Sequence, residues 1–155
     1  NFINIIINIT SEFPDILFII KNHPLSNKKI TNEGSNKINN IYIVDNYHYK
    51  DCLSICHKVI TINSGVGLQS MCWLKPCIIC GKSFYNFDDI NYKANNLDEL
   101  INLIKINLYV DTIKVKKFIY YLKFLYYSDV KLFKIGLDVN KNTTSFCIYD
   151  NIKFT

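Results

Sequence analysis

The chain has 155 residues, 49% hydrophobic and 20% charged, a balance that suits one folded domain and excludes a disordered chain. Its net charge is +5, all eighteen basic residues are lysine, and Asn, Ile and Lys make up roughly two-fifths of the sequence, a bias of the kind an AT-rich coding sequence produces. The lysines are scattered apart from a cluster between Lys114 and Lys123, and there is no arginine fork, so nucleic acid is not an expected partner. No apolar run approaches the roughly 18–20 residues that span a bilayer, and no secretory signal is visible.

Asn1–Glu12 reads as a helical lead-in, and Pro14 separates it from a strand at Ile16–Lys21. His23–Asn40 is polar and long, which predicts a loop carrying a short helix. A strand at Ile41–Val44, a helix at Tyr47–Cys56 and a β-branched strand at Lys58–Asn63 follow. Gly65–Leu74 is predicted helical and stopped by Lys75-Pro76; Cys77–Cys80 is a further strand, ended by Gly81. Helices are predicted at Leu97–Asn107, capped by Asn95 or Asn96, and at Asp111–Tyr127. Gly136–Thr155 shows no interpretable pattern. The expected organisation is a domain over residues 1–130 and a tail over 131–155.

This alternation predicts an α/β fold, a parallel sheet with helices on both faces. Ligands in such sheets bind beyond the carboxyl ends of the strands, which makes His23-Pro24, Asp45-Asn46, Ser64–Gly67 and Gly81–Ser83 the segments to inspect. In Val59–Leu68 a strand runs through small residues straight into a helix. The helix-start N–H groups and the Ser64 hydroxyl there form an anion site, or Ser64 caps the helix while glycines permit close packing. Both readings stand at this level. The turn matches neither a Walker loop nor GxGxxG. His23 at a strand end can donate to a phosphate, or be an ordinary loop histidine, and Pro24 turns the chain away. Asp88-Asp89 reads as a solvated pair, and no clustered ligands call for a metal or another cofactor. The six cysteines read as reduced thiols of a cytoplasmic protein; Cys77 and Cys80, three apart on a strand, point to opposite faces and cannot share one ion.

Lys21-Asn-His-Pro24, Asn63-Ser-Gly-Val-Gly-Leu-Gln-Ser70, Lys75-Pro76 and Gly81-Lys-Ser-Phe-Tyr85 occur in one order. This resembles the capsular polysaccharide biosynthesis and export family, which includes Kdo transferases, over about Pro14 to Lys105. The resemblance implies the C-terminal, Rossmann-like, nucleotide-binding half of a GT-B-like glycosyltransferase using a CMP-activated sugar, Kdo foremost, with a lipid or glycan acceptor. It assigns donor binding to Lys21, His23, Pro24, Asn63, Ser64, Gly65, Gly67, Gln69 and Tyr85. Gln69 stands where the family has glutamate; an amide still hydrogen-bonds a ribose hydroxyl or a cytidine edge but is no carboxylate. The catalytic base is expected from an amino-terminal half across the cleft. A CDP-glycerol glycerophosphotransferase of teichoic-acid type shares the K-x-H-P element but has aspartate-tyrosine-serine-serine where this chain has Ile62-Asn63-Ser64-Gly65. A non-catalytic Rossmann-like module is the third reading. The aromatic and lysine-rich Asp111–Tyr127 helix, with Lys131 and Lys134 beyond it, reads either as a peripheral contact with the cytoplasmic face of the inner membrane or as a helix packed on the protein.

Overall fold

A computed structural model describes residues 2–22, 40–126, 132–138 and 143–148. The predicted loop with a short helix at His23–Asn40 falls, up to residue 39, outside the described residues. The chain divides into two compact units, 1–111 and 112–155.

Unit 1 is α/β. Helix α1 (Phe2–Thr10) leads to β1 (Phe18–Ile20) and β2 (Ile41–Ile43), which pair in parallel with Phe18 opposite Ile41. Helix α2 (Tyr49–Ile55) precedes β3 (Val59–Thr61), α3 (Gly65–Cys72) and β4 (Cys77–Ile79). A two-residue strand, β5 (Tyr92–Lys93), and helix α4 (Leu97–Lys105) complete the unit. Strands β3, β4 and β5 lie side by side in that order, all parallel. The single sheet expected from the sequence is therefore two hydrogen-bonded parallel groups, joined by packing. One hydrophobic cluster unites Ile6, Ile9 and Phe13 with Phe18 and Ile41 of the first group, Ile78 of the second, and Leu100 and Ile104 of α4.

Alternation along the strands sends neighbours to opposite faces. Ile60 and Ile78, opposite one another in register, face the α1–α4 cluster. Thr61 faces α3, where it lies against Gly67, and Cys77 lies beside Ser70 of α3. Cys80 packs with the α1–α4 cluster, so the two thiols of the CxxC point to different faces. Burial raises the thiol pKa values of Cys56 and Cys80 and pushes Cys77 up to about 12, which keeps all three protonated at neutral pH. Asn40 ties the start of β2 to the preceding turn by donating to the carbonyls of Thr10, Phe13 and Ile16. The Lys58 ammonium, its pKa lowered by burial, donates to the carbonyls of Leu103, Ile104 and Ile106 and holds the end of α4 against the start of β3.

Unit 2 contains α5 (Thr112–Tyr121), a π-type turn at Leu122–Tyr126, and the antiparallel strands β6 (Leu132–Asp138) and β7 (Thr143–Ile148). Part of the segment that offers no pattern in sequence is thus paired strand, with a register shift between Lys134 and Leu137. No helix among the described residues is long and apolar enough to cross a membrane.

Asn96 is the cap of α4: its Oδ1 accepts from the Glu99 N–H at 2.9 Å, and Glu99 Oε2 accepts from the Asn95 N–H at 2.7 Å. Asn96→Ala is expected to lower unfolding free energy by about 1 kcal/mol in urea titration. The Asn95 N–H is the main cause holding the Glu99 carboxyl below its usual 4.5. A depressed carboxylate stabilises fully above its unfolded pKa and loses that contribution as pH falls through the folded one. Glu99→Gln should therefore flatten the acid limb of the stability–pH curve below about pH 4.5 and leave its shape above neutral pH unchanged.

Candidate functional site

The turn after β3 is built around Ser64. The Ser64 N–H donates to Thr61 Oγ1 at 3.1 Å, and its Oγ accepts from the Val66 N–H at 3.3 Å, capping α3. The Gly67 N–H returns to the Ser64 carbonyl at 2.9 Å. That carbonyl also accepts from the Tyr85 phenol, which reaches up from a buried position 1% exposed. The Asn91 amide donates to the Tyr85 backbone carbonyl, so Tyr85 is held at both ends. Burial, with Cys77 as a lesser neighbour, pushes the Tyr85 pKa up to about 12, so the phenol remains a donor throughout the neutral range. Tyr85 supports the Ser64 turn from beneath.

The two glycines of the turn have different reasons to be glycine. A Cβ on Gly67 would sit 2.6 Å from Tyr85 Oη and 3.0 Å from Thr61 Cγ2, so the bare Cα is what allows α3 to close on the tyrosine. Gly81 is similar, with Ile62 Cγ2 at 2.6 Å and Ile62 O at 2.7 Å from the Cβ it lacks. At Gly65 an added Cβ would meet nothing within 4 Å, and the residue is exposed. The packing reading of the glycines thus accounts for Gly67 and Gly81, whereas Gly65 leaves open space beside the first N–H groups of α3. Asn63 and Gln69 are exposed as well, and Gln69 lies one turn along the helix from Gly65, on the same side.

At the other parallel pair, Lys21 Nζ donates to the Asp45 carbonyl at 3.2 Å and Asn22 Nδ2 to Asp45 Oδ1 at 2.9 Å. These contacts join the carboxyl ends of β1 and β2. Asn22, 8% exposed, is the unnamed position of the K-x-H-P element and was not singled out by sequence; an asparagine buried directly after a strand, facing an aspartate after the next, is the signal that could have found it. His23 and Pro24 lie outside the described residues. The structure therefore brings Ser64, Gly65, Gly67 and Tyr85 together, places Asn63 and Gln69 on the exposed side of that turn, and sets Lys21 with Asn22 and Asp45. Among the described residues no group of His, Cys, Asp and Glu is arranged to hold a metal ion.

The Gly65 N–H and the Ser64 hydroxyl are the hydrogen-bond donors this turn has to offer a ligand. A family model described as capsule polysaccharide biosynthesis protein matches residues 1–109. Protein FixF of Sinorhizobium fredii is 29% identical over 101 residues, which are 64% of this chain and 25% of FixF, so the match spans a quarter of that relative's length. No solved structure matches the chain.

The glycine assignment predicts unequal stability effects at two positions only two residues apart. Gly67→Ala forces Tyr85 or α3 to shift and should cost about 1–3 kcal/mol. Gly65→Ala should change stability by no more than about 0.5 kcal/mol. Chemical denaturation of the two variants checks this.

Proposed function

The chain belongs to the capsule polysaccharide biosynthesis protein family, and from that premise we propose that it is the donor-binding half of a GT-B-like glycosyltransferase using a CMP-activated sugar, Kdo foremost. The two parallel strand groups are read as the Rossmann-like half, acting in the cytoplasm on a lipid or glycan acceptor, with the catalytic base supplied by the other half of the site. The observation that carries the reading is the open Gly65 next to the Ser64 cap, where no atom beyond its chain neighbours and its own helix backbone lies within 4 Å of the Cβ a side chain would add.

The chemistry follows from the leaving group. As the glycosidic bond to CMP breaks, negative charge grows on the phosphate. The Gly65 N–H at the start of α3, the Ser64 hydroxyl and the His23 imidazole would donate to the oxygens on which that charge grows. Asn63 and Gln69 then face the nucleoside, the Gln69 amide bonding a ribose hydroxyl or the cytosine edge. Lys21 and Tyr85 act through position: Lys21 on the strand end that carries His23, Tyr85 on the Ser64 carbonyl.

Titration calorimetry with CMP, CDP and UDP tests the assignment. CMP is expected to bind tightest; Ser64→Ala and His23→Ala should each weaken it about tenfold, or about 1.4 kcal/mol. Gly65→Ala, neutral for stability, should also weaken CMP by crowding the phosphate. Preference for CDP would favour the glycerophosphotransferase reading. Gln69 in place of a glutamate keeps a non-catalytic module as the alternative, and a folded sample that binds no cytidine nucleotide would favour that reading instead.

A further inference from the structure

Helix α5 and the turn that follows it, residues 112–126, lie beyond the family match, which ends at residue 109. The segment holds four lysines and no acidic residue. Its buried positions are Val115, Phe118 and Leu122, one stripe at spacings of three and four. The opposite side is not the polar face that a surface helix ordinarily shows. Tyr120 is 60% exposed, Phe124 58% and Leu125 71%. Tyr120 and Phe124 stack with ring centroids 4.7 Å apart, which puts them on one side of the helix. Lys123 Nζ lies 4.9 Å from the Phe124 ring centre, and Lys116 and Lys117 are exposed on the preceding turns.

We propose that this outward face of residues 112–126 is an interfacial anchor for an anionic lipid surface. The lysines supply the sign of the partner, since four cations with no carboxylate among them favour a dense negative surface. The rings and the Leu125 side chain supply its second property. Exposed apolar groups flanked by ammonium groups gain nothing from a purely aqueous polyanion, but they enter the boundary between headgroups and acyl chains. Lysine stems also reach along an apolar layer while their heads stay at the phosphates. A single-stranded nucleic acid would use the rings and the charge but would leave Leu125 without a function. The inference does not rest on the donor-binding reading, and the two fail separately.

Co-sedimentation of the full chain with phosphatidylglycerol-rich vesicles and with pure phosphatidylcholine vesicles tests it. Partition onto the anionic vesicles is expected, falling as salt rises. Lys116→Gln, Lys117→Gln and Lys123→Gln should each weaken partition about fivefold, and Phe124→Ser or Tyr120→Ser about tenfold. Because these side chains are exposed, the variants should keep the far-ultraviolet circular dichroism of the parent. Equal partition onto both kinds of vesicle, no partition onto the anionic ones by a folded sample, lysine variants that bind like the parent, or binding to a single-stranded oligonucleotide in preference to vesicles would each overturn the proposal.

Discussion

The Tyr85 phenol bonded to the Ser64 carbonyl is the contact on which the geometry of the candidate site depends. Ser64 ends the turn after β3 and caps α3, so the position of its carbonyl sets both the direction of the helix and the openness of its first turn. The bond forms only because Gly67 has no side chain to displace the ring. It persists because the ring is buried and Asn91 holds the tyrosine's own carbonyl. A residue twenty-one positions downstream thus holds the turn in place, and burial, with Cys77 as a lesser cause, keeps that residue a neutral donor.

The same contact explains which parts of the fold and site were legible in sequence. The strand–turn–helix unit from Val59 to Cys72 was legible because β-branched residues, a serine cap and two glycines agree locally. The separate reasons for Gly65 and Gly67 were not, since a glycine's neighbours across the fold leave no mark on its own stretch of chain. Tyr85 carried a motif signal beside an equally open reading as a packed tyrosine, and the structure buries it, 1% exposed. Strand β5 was missed because two residues give no period to count, and it is recruited by register with Ile78 and Ile79. Helix ends drifted by one to several residues for ordinary reasons. Leu74, at φ 52°, ends α3 in a left-handed conformation that favours glycine, with the Lys75 N–H turning back to the Ser70 carbonyl.

The division of the parallel strands into two hydrogen-bonded groups was equally invisible, and it has a physical basis. Strands of three residues carry few ladder bonds, so the groups are held by side chains rather than by a continuous ladder. Phe18, Ile41 and Ile78 meet in one cluster with α1 and α4, and hydrophobic contact is indifferent to whether the strands between them exchange hydrogen bonds. The polar stitches then act where packing does not reach: Asn40 at the start of β2, and Asn22 with Asp45 at the carboxyl ends.

Having lysine as the sole strong cation shapes how charge is used. Among the described residues of unit 1, Lys21 donates to the Asp45 carbonyl, Lys58 to the end of α4, and Lys93 to Gly81. An ammonium is a compact donor without the planar fork of a guanidinium, so it suits single carbonyls and clustered helix ends better than it suits two-point grip on a phosphate. With those lysines committed to the strand ends and helix end, the Ser64 turn itself offers only backbone N–H groups and a hydroxyl as donors, and their use depends on geometry. That dependence is why the buried phenol beneath the turn carries more weight here than it would in a site lined by arginine. The lysines of 112–126 stand in a different setting, exposed on a helix that also exposes aromatic rings, with Lys123 over the Phe124 ring.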